Sequence, residues 1–213
     1  GKNVLILRII SLCLQITNSE EIDLILYRLL FAFFIFTSWA IYSDPNEDLL
    51  LSIKSNNLQK IKDSISQGAD PNTKDESGLT AFLISVSKGN KQIIQYFLNL
   101  SIDFNSVDSN GNNALHYLAK KSDVSLIESL LEKGLRINDV NLAGQTPIHI
   151  AISSKQVKNL TVMLKAKPDL NAKDSSGNSP LLLAYKNKLM PTFDELLKEG
   201  AAPDITDNDG NTL

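Results

Sequence analysis

The stretch Asn141-Leu142-Ala143-Gly144-Gln145-Thr146-Pro147-Ile148-His149-Ile150-Ala151 sets the reading of the whole chain. Counting in steps of 33 residues from Gly144 lands on Gly78, Gly111, Gly177 and Gly210, each with an Asp or Asn three places earlier. Five glycines in register, each with the same partner, carry far more weight than one short motif. A fixed period of this size marks a stacked array, in which each unit is too small to bury its own apolar face and uses its neighbours instead.

The period and the Thr146-Pro147-Ile148-His149-Ile150-Ala151 core resemble the ankyrin repeat, whose signature reads T-P-L-H-x-A. The resemblance implies an all-α solenoid of helix-turn-helix units joined by β-hairpin-like turns. A hydrophobic helix at the N-terminus is expected to precede it. Residues 44–213 are read as the repeat domain, with a leading cap at 44–74, repeats at 75–107, 108–140, 141–173 and 174–206, and the start of another at 207–213. Residues 1–43 are read as a separate targeting or anchor region.

Composition narrows the class of function. The chain of 213 residues is 43% hydrophobic with a net charge of -3. Residues 1–43 balance Lys2, Arg8 and Arg28 against Glu20, Glu21 and Asp23, so the negative charge belongs to the repeats. No basic excess points to nucleic acid. The single cysteine, Cys13, lies outside the array, which therefore holds no internal disulfide. The chain opens on Gly1 and stops at Leu213, the first apolar residue of a new repeat, so it is read as a piece of a longer protein or a frame extended upstream of its start.

The run Leu29 to Tyr42 is uncharged and follows Arg28 directly. Its length, roughly 21 Å as helix, suits the hydrophobic region of a signal peptide better than a full span of ~30 Å. Cleavage is expected after Ala40 or Ser43. A second reading extends the run back to Ile22 and leaves residues 22–42 as an uncleaved membrane anchor, with Asp23 and Arg28 near one end. A third, a buried helix capping the solenoid, is disfavoured because too little protein surrounds a helix apolar on every face. Arg28 before the run and Asp44, Glu47 and Asp48 after it place the array outside the cytoplasm in both membrane readings.

Within the repeats, apolar residues recur four apart: Ile93-Ile94 with Phe97-Leu98, Leu126-Ile127 with Leu130-Leu131, Leu160 with Met163-Leu164, and Phe193 with Leu196-Leu197. That spacing predicts a second helix per unit facing the inter-repeat core. Gly68, Gly134 and Gly200 end such helices in the left-handed conformation, whereas Ser101 and Lys167 stand where a glycine is expected. Pro191 falls at the start of its helix, where a missing N–H costs nothing. Because residues 207–213 supply no second helix, Leu182, Phe193 and Leu197 are expected to be incompletely covered.

No residue set carries catalysis. His116 and His149 occupy the same place in consecutive repeats, where the resemblance implies an imidazole that ties turns together. A zinc site needs three or four converging ligands at ~2 Å, and no cysteine is near. Asp75, Asp108 and Asp174 recur with the period, as turn-forming residues do. The serines stand on polar turns with no nucleophile elbow. Asn99-Leu100-Ser101 and Asn159-Leu160-Thr161 fit the glycosylation pattern but lie in or beside second helices. No catalytic residue, cofactor or metal is expected.

What remains is surface. The resemblance implies a partner on the concave side, at Glu76, Ser77, Leu79, Ser87 and Lys88; Ser109, Asn110, Asn112, Lys120 and Lys121; Leu142, Ala143, Gln145, Ser153 and Ser154; and Ser175, Ser176, Asn178, Lys186 and Asn187. Lys88, Lys120, Lys121 and Lys186 read either as a basic ladder for an acidic partner or as complements to helix C-termini. Leu79, Lys120, Lys121 and Leu142 are the expected anchors by size. The expected function is thus a non-catalytic protein-protein interaction module, exported, monomeric, with another protein as partner. The alternatives are a membrane-tethered scaffold and the regulatory array of a larger enzyme continuing beyond Leu213.

Overall fold

The structure, a computed structural model, describes Phe31 and residues 44–203 and 206–210. The chain divides into Gly1–Asp44 and Pro45–Leu213, and the repeats fill the second unit. The expected N-terminal helix, cleavage sites and anchor lie outside the described residues. Among the described residues, no helix is long and apolar enough to cross a membrane.

Ten helices follow one another in pairs among the described residues of this unit: α1 Pro45–Lys54 and α2 Leu58–Ser66, α3 Ala81–Lys88 and α4 Lys91–Leu98, α5 Ala114–Ala119 and α6 Val124–Glu132, α7 Pro147–Ser153 and α8 Val157–Lys165, α9 Pro180–Lys186 and α10 Met190–Lys198. Local chemistry fixes where they start. The Thr80 and Ser179 hydroxyl oxygens accept the Leu83 and Leu182 N–H groups, both at 3.2 Å, and cap α3 and α9. Asn57 and Asn90 do the same for α2 and α4. Each such cap is worth ~1 kcal/mol. Pro147 and Pro180 open α7 and α9, and Pro191 is the second residue of α10 and leaves that helix intact.

The helix ends follow two patterns. Gly68, Gly134 and Gly200 are left-handed, and so is Lys167 at φ 51°, with a strain of ~1 kcal/mol. Ser101 is not left-handed; α4 ends instead with Asn99 in a right-handed conformation and the Leu100 N–H bonded to the Phe97 carbonyl at 2.9 Å.

One apolar core runs through all the pairs. Ile93, Ile94, Phe97 and Leu98 of α4 are buried, as are Ile127 and Leu130 of α6, Leu160, Met163 and Leu164 of α8, and Leu196 of α10. Phe82 meets Phe97 and Phe104 edge to face, with centroids 6.3 and 5.2 Å apart. Leu197 points outward from α10, and Phe193 is half-buried. Leu182 departs from expectation: it is fully buried. It holds the place that His116 and His149 hold in their repeats, and the Asn208 N–H bonds the Ser176 carbonyl of the turn before it at 3.2 Å.

Polar ties join the units as well. Asn72, Asn105, Asn138 and Asn171, 33 residues apart, each accept a backbone N–H from the next unit, those of Asp103, Arg136, Asp169 and Ala202. These amides satisfy backbone groups between repeats that apolar stacking alone would leave without partners.

Candidate functional site

The expected surface is built on the turns that precede α3, α5, α7 and α9. In each, the Asp or Asn side chain accepts two backbone N–H groups: Asp75 from Ser77 and Leu79, Asp108 from Asn110 and Asn112, Asn141 from Ala143 and Gln145, Asp174 from Ser176 and Asn178, all at 2.8 to 3.0 Å. A backbone bond closes each turn in hairpin fashion, from Asp75 N–H to Leu79 O and from its equivalents. The only bridge pairing among the described residues is Lys74 with Thr80. The acidic residues are therefore scaffold.

Neighbouring turns are bonded to one another. The Leu142 N–H donates to Asn110 O, and the Ser175 N–H to Ala143 O, both at 2.9 Å. The Asn141 amide donates to Asn112 Oδ1 at 3.0 Å. The two histidines complete the joints. His116 Nε2 meets Gln145 O at 3.0 Å, and His149 Nε2 meets Asn178 O at 3.1 Å, each a carbonyl of the following repeat. At His149 the carbonyl partner requires the proton on Nε2, and Nδ1 accepts from the Thr146 backbone N–H at 3.2 Å and from its hydroxyl at 2.7 Å; at His116, Nδ1 lies 3.2 Å from the Asn113 backbone N and 2.7 Å from the Asn113 side-chain oxygen. Burial lowers the pKa of both rings, more than the nearby carboxylates raise it. With both nitrogens engaged, neither ring has a lone pair left for a metal. Among the described residues no group of three or more His, Cys, Asp or Glu side chains converges.

The lysine ladder takes a different form from the one expected. Lys88 Nζ donates to Lys54 O at 2.7 Å, and Lys121 Nζ to Val86 O at 3.1 Å and to Ser87 O, so both close the C-terminal carbonyls of the preceding first helix. Lys186 reaches Asn178 Oδ1 at 2.7 Å and the buried Asp207 carboxylate at 2.5 Å. Three of the four are consumed inside the array because carbonyl ends and a buried carboxylate lie within reach. Lys120, exposed at the end of α5, is the one of the four whose side chain makes no hydrogen bond or ion pair among the described residues. In the repeat at 141–173, where Ser154 replaces the lysine, the Asn159 amide takes over and donates to Leu118 O at 3.1 Å and to Lys121 O. Asn159 is fully buried, and its Oδ1 has no partner among the described residues.

Two further expected site residues are corrected. Asn178 is buried, its amide donating to Asp174 and its oxygen accepting from Lys186. Leu79 packs against the core and is only partly exposed. Asn112 bonds Asp108 and Asn141, while Gln145 and Ser154 are half-buried. Glu76, Ser77, Ser109, Asn110, Leu142, Ala143, Ser175 and Ser176 are exposed, and the turn-to-turn bonds bring the last six of them into one row.

Three residues of this surface escape sequence reasoning. Val107 and Val140, 36% and 56% exposed, stand just before their turns, and Leu142 beside them is 78% exposed. Tyr117 on α5 donates its hydroxyl to Asp108 Oδ2 at 2.7 Å. Burial and that carboxylate raise the tyrosine pKa; burial of Asp108 opposes its ionisation, but the bonds from Tyr117, Asn112 and Asn110 prevail and lower its pKa. The signal was present: reading the residue before each turn at intervals of 33 gives Lys74, Val107, Val140, Lys173 and Thr206.

The comparison with known proteins agrees with this geometry. The family model described as Ankyrin repeats (3 copies) matches residues 49–141 and again residues 119–209. The chain belongs to the ankyrin repeat family. Ankyrin repeats are generally protein-protein interaction modules and are typically non-catalytic. No curated protein sequence matches the chain. In this ankyrin array the resources of the turns go into holding one repeat to the next, and the side chains left over are the exposed row and Lys120.

Proposed function

We propose that the array is a non-catalytic binding module that takes a protein partner on its concave side, along the turn tips and the ends of the first helices. The observation that carries the reading is Leu142: a leucine, 78% exposed, on a turn whose backbone is bonded to both neighbouring turns. A specific interface buries roughly 800 Å² per partner, so several successive repeats contribute. We further propose that the protein is exported, on the strength of the uncharged run Leu29 to Tyr42 after Arg28.

Photo-crosslinking tests the surface. A photoreactive residue at Leu142 in the full chain should yield adducts with a discrete partner in cells of the native host, and the same residue at exposed Lys158 on α8 should not. Adducts at position 158 with none at 142 contradict the reading. Mass spectrometry of material outside the cytoplasm tests export, with a new N-terminus near Ala40 or Ser43, or an intact membrane-bound chain, as the expected result. Retention of the whole chain in the cytoplasm contradicts it.

A further inference from the structure

Resting on the concave-side reading, we infer that the partner presents an extended acidic segment: an apolar residue seated on Val107, Val140 and Leu142, and a carboxylate three or four residues away that pairs with Lys120. Two independent features point to this occupant.

The first is the apolar cluster. The residues flanking the turn-forming Asp or Asn are Lys74 and Glu76, Val107 and Ser109, Val140 and Leu142, Lys173 and Ser175, Thr206 and Asn208. Polar and charged residues serve in three of the five turns, and the bond from the glycine N–H to the carbonyl of the turn-forming Asp or Asn is the same in all of them, so turn geometry does not call for apolar residues. They occur only at the second and third turns, and there all three are exposed. The bond from Leu142 N–H to Asn110 O sets edge to edge the two turns that carry Val107, Val140 and Leu142. The base is rigid, so little conformational freedom remains to be lost on binding.

The second feature is charge. Lys88, Lys121 and Lys186 are consumed by carbonyls and by Asp207, whereas the Lys120 side chain makes no hydrogen bond or ion pair among the described residues. Its equivalents in the flanking repeats are the neutral Ser87 and Ser153, so a single uncompensated cation stands between them. Tyr117 lies three residues before Lys120 on α5, on the same face, and its hydroxyl is bonded to the Asp108 carboxylate at the base of the turn. The path from the apolar tips to the cation therefore runs along the tyrosine ring and then one helical turn, about 5 Å. An extended peptide advances ~3.3 Å per residue, so the helical turn takes about two residues and the length of the tyrosine, a further ~5–6 Å, brings the separation to three or four.

A phage-displayed library of random 12-residue peptides selected on the full chain tests the inference. Recovered peptides should share an apolar residue with Asp or Glu three or four positions away. Fluorescence polarisation of the best peptide should then show at least tenfold weaker binding to Leu142→Ser and to Lys120→Glu, with the latter restored when the peptide's acid is changed to Lys. Both side chains are exposed and make no hydrogen bond, so Leu142→Ser should keep the wild-type urea midpoint and Lys120→Glu, at a helix C-terminus, should stay within about 0.5 M of it; both midpoints are measured alongside. Peptides that lose binding with Leu142→Ser but ignore Lys120→Glu overturn the acidic segment and leave the concave reading standing. Peptides indifferent to both variants, or a selection that yields no peptide, overturn the inference, and crosslinking at Leu142 then decides the concave reading separately.

Discussion

Two glycine substitutions separate the contact between repeats from backbone strain. Gly134, after α6, has φ 84° and open space where a Cβ would sit; Gly144, in the central turn, has φ 69° and would place a Cβ 2.9 Å from Ser175 N and 3.2 Å from the Asp174 carbonyl carbon. Alanine at either site bears the left-handed penalty of about 1–2 kcal/mol. At Gly144 the added methyl also presses on the backbone of the next turn. That turn cannot withdraw without stretching the bond from Ser175 N–H to Ala143 O. Overpacking of this kind costs about 1–3 kcal/mol. Gly134→Ala should therefore lose ~1–2 kcal/mol and Gly144→Ala ~2–5. With a urea dependence of about 2 kcal/mol per molar, the midpoints fall by roughly 0.5–1 M and 1–2.5 M. Circular dichroism during urea titration reads both. Equal shifts for the two variants would falsify the claim that the turn-to-turn approach is tight, since strain is common to both and only the contact differs.

Acid should weaken the array through its histidines. Burial holds the folded-state pKa of His116 and His149 below the unfolded value of about 6.5, so the stability they contribute is complete above that pH and falls as pH drops through it, by up to about 1.4 kcal/mol per unit for each ring. The urea midpoint should drop between pH 7.5 and 5.5. Leucine already holds the same place in other repeats, at Leu83 and Leu182, so His149→Leu should fold and remove about half the slope; a wild-type midpoint flat over that range contradicts this. Lys121→Met keeps the apolar stem and loses the bonds to Val86 O and Ser87 O; with the ammonium half in water the loss should be ~1 kcal/mol, and an unchanged midpoint would show the strap to be idle. Asn159→Asp aims an acceptor at the carbonyls of Leu118 and Lys121 and should cost at least ~3 kcal/mol, more than Asn159→Leu; the reverse order in thermal melts would mean that the amide does not close that helix end.

The architecture was legible because it is written redundantly. Gly78, Gly111, Gly144 and Gly177 each sit in a left-handed turn that a side chain disfavours, so the period survives in the letters themselves. The second-helix stripes, the Pro191 start and the strained Lys167 end were legible for the same reason, since each depends on residues within one helical turn of it. The division of the surface was not. Nothing local distinguishes Lys120 from Lys121. The difference is whether a carbonyl or carboxylate of another repeat lies within about 3 Å, and that is fixed only when the repeats stack. Leu182 was misjudged on the same ground, because its burial is decided only when the units stack. The sequence by itself determined that the units repeat, where each begins and which face of each is apolar. Only the tertiary structure decided which polar side chains are spent in joining the units, because those bonds connect residues some 30 positions apart that backbone geometry alone brings together.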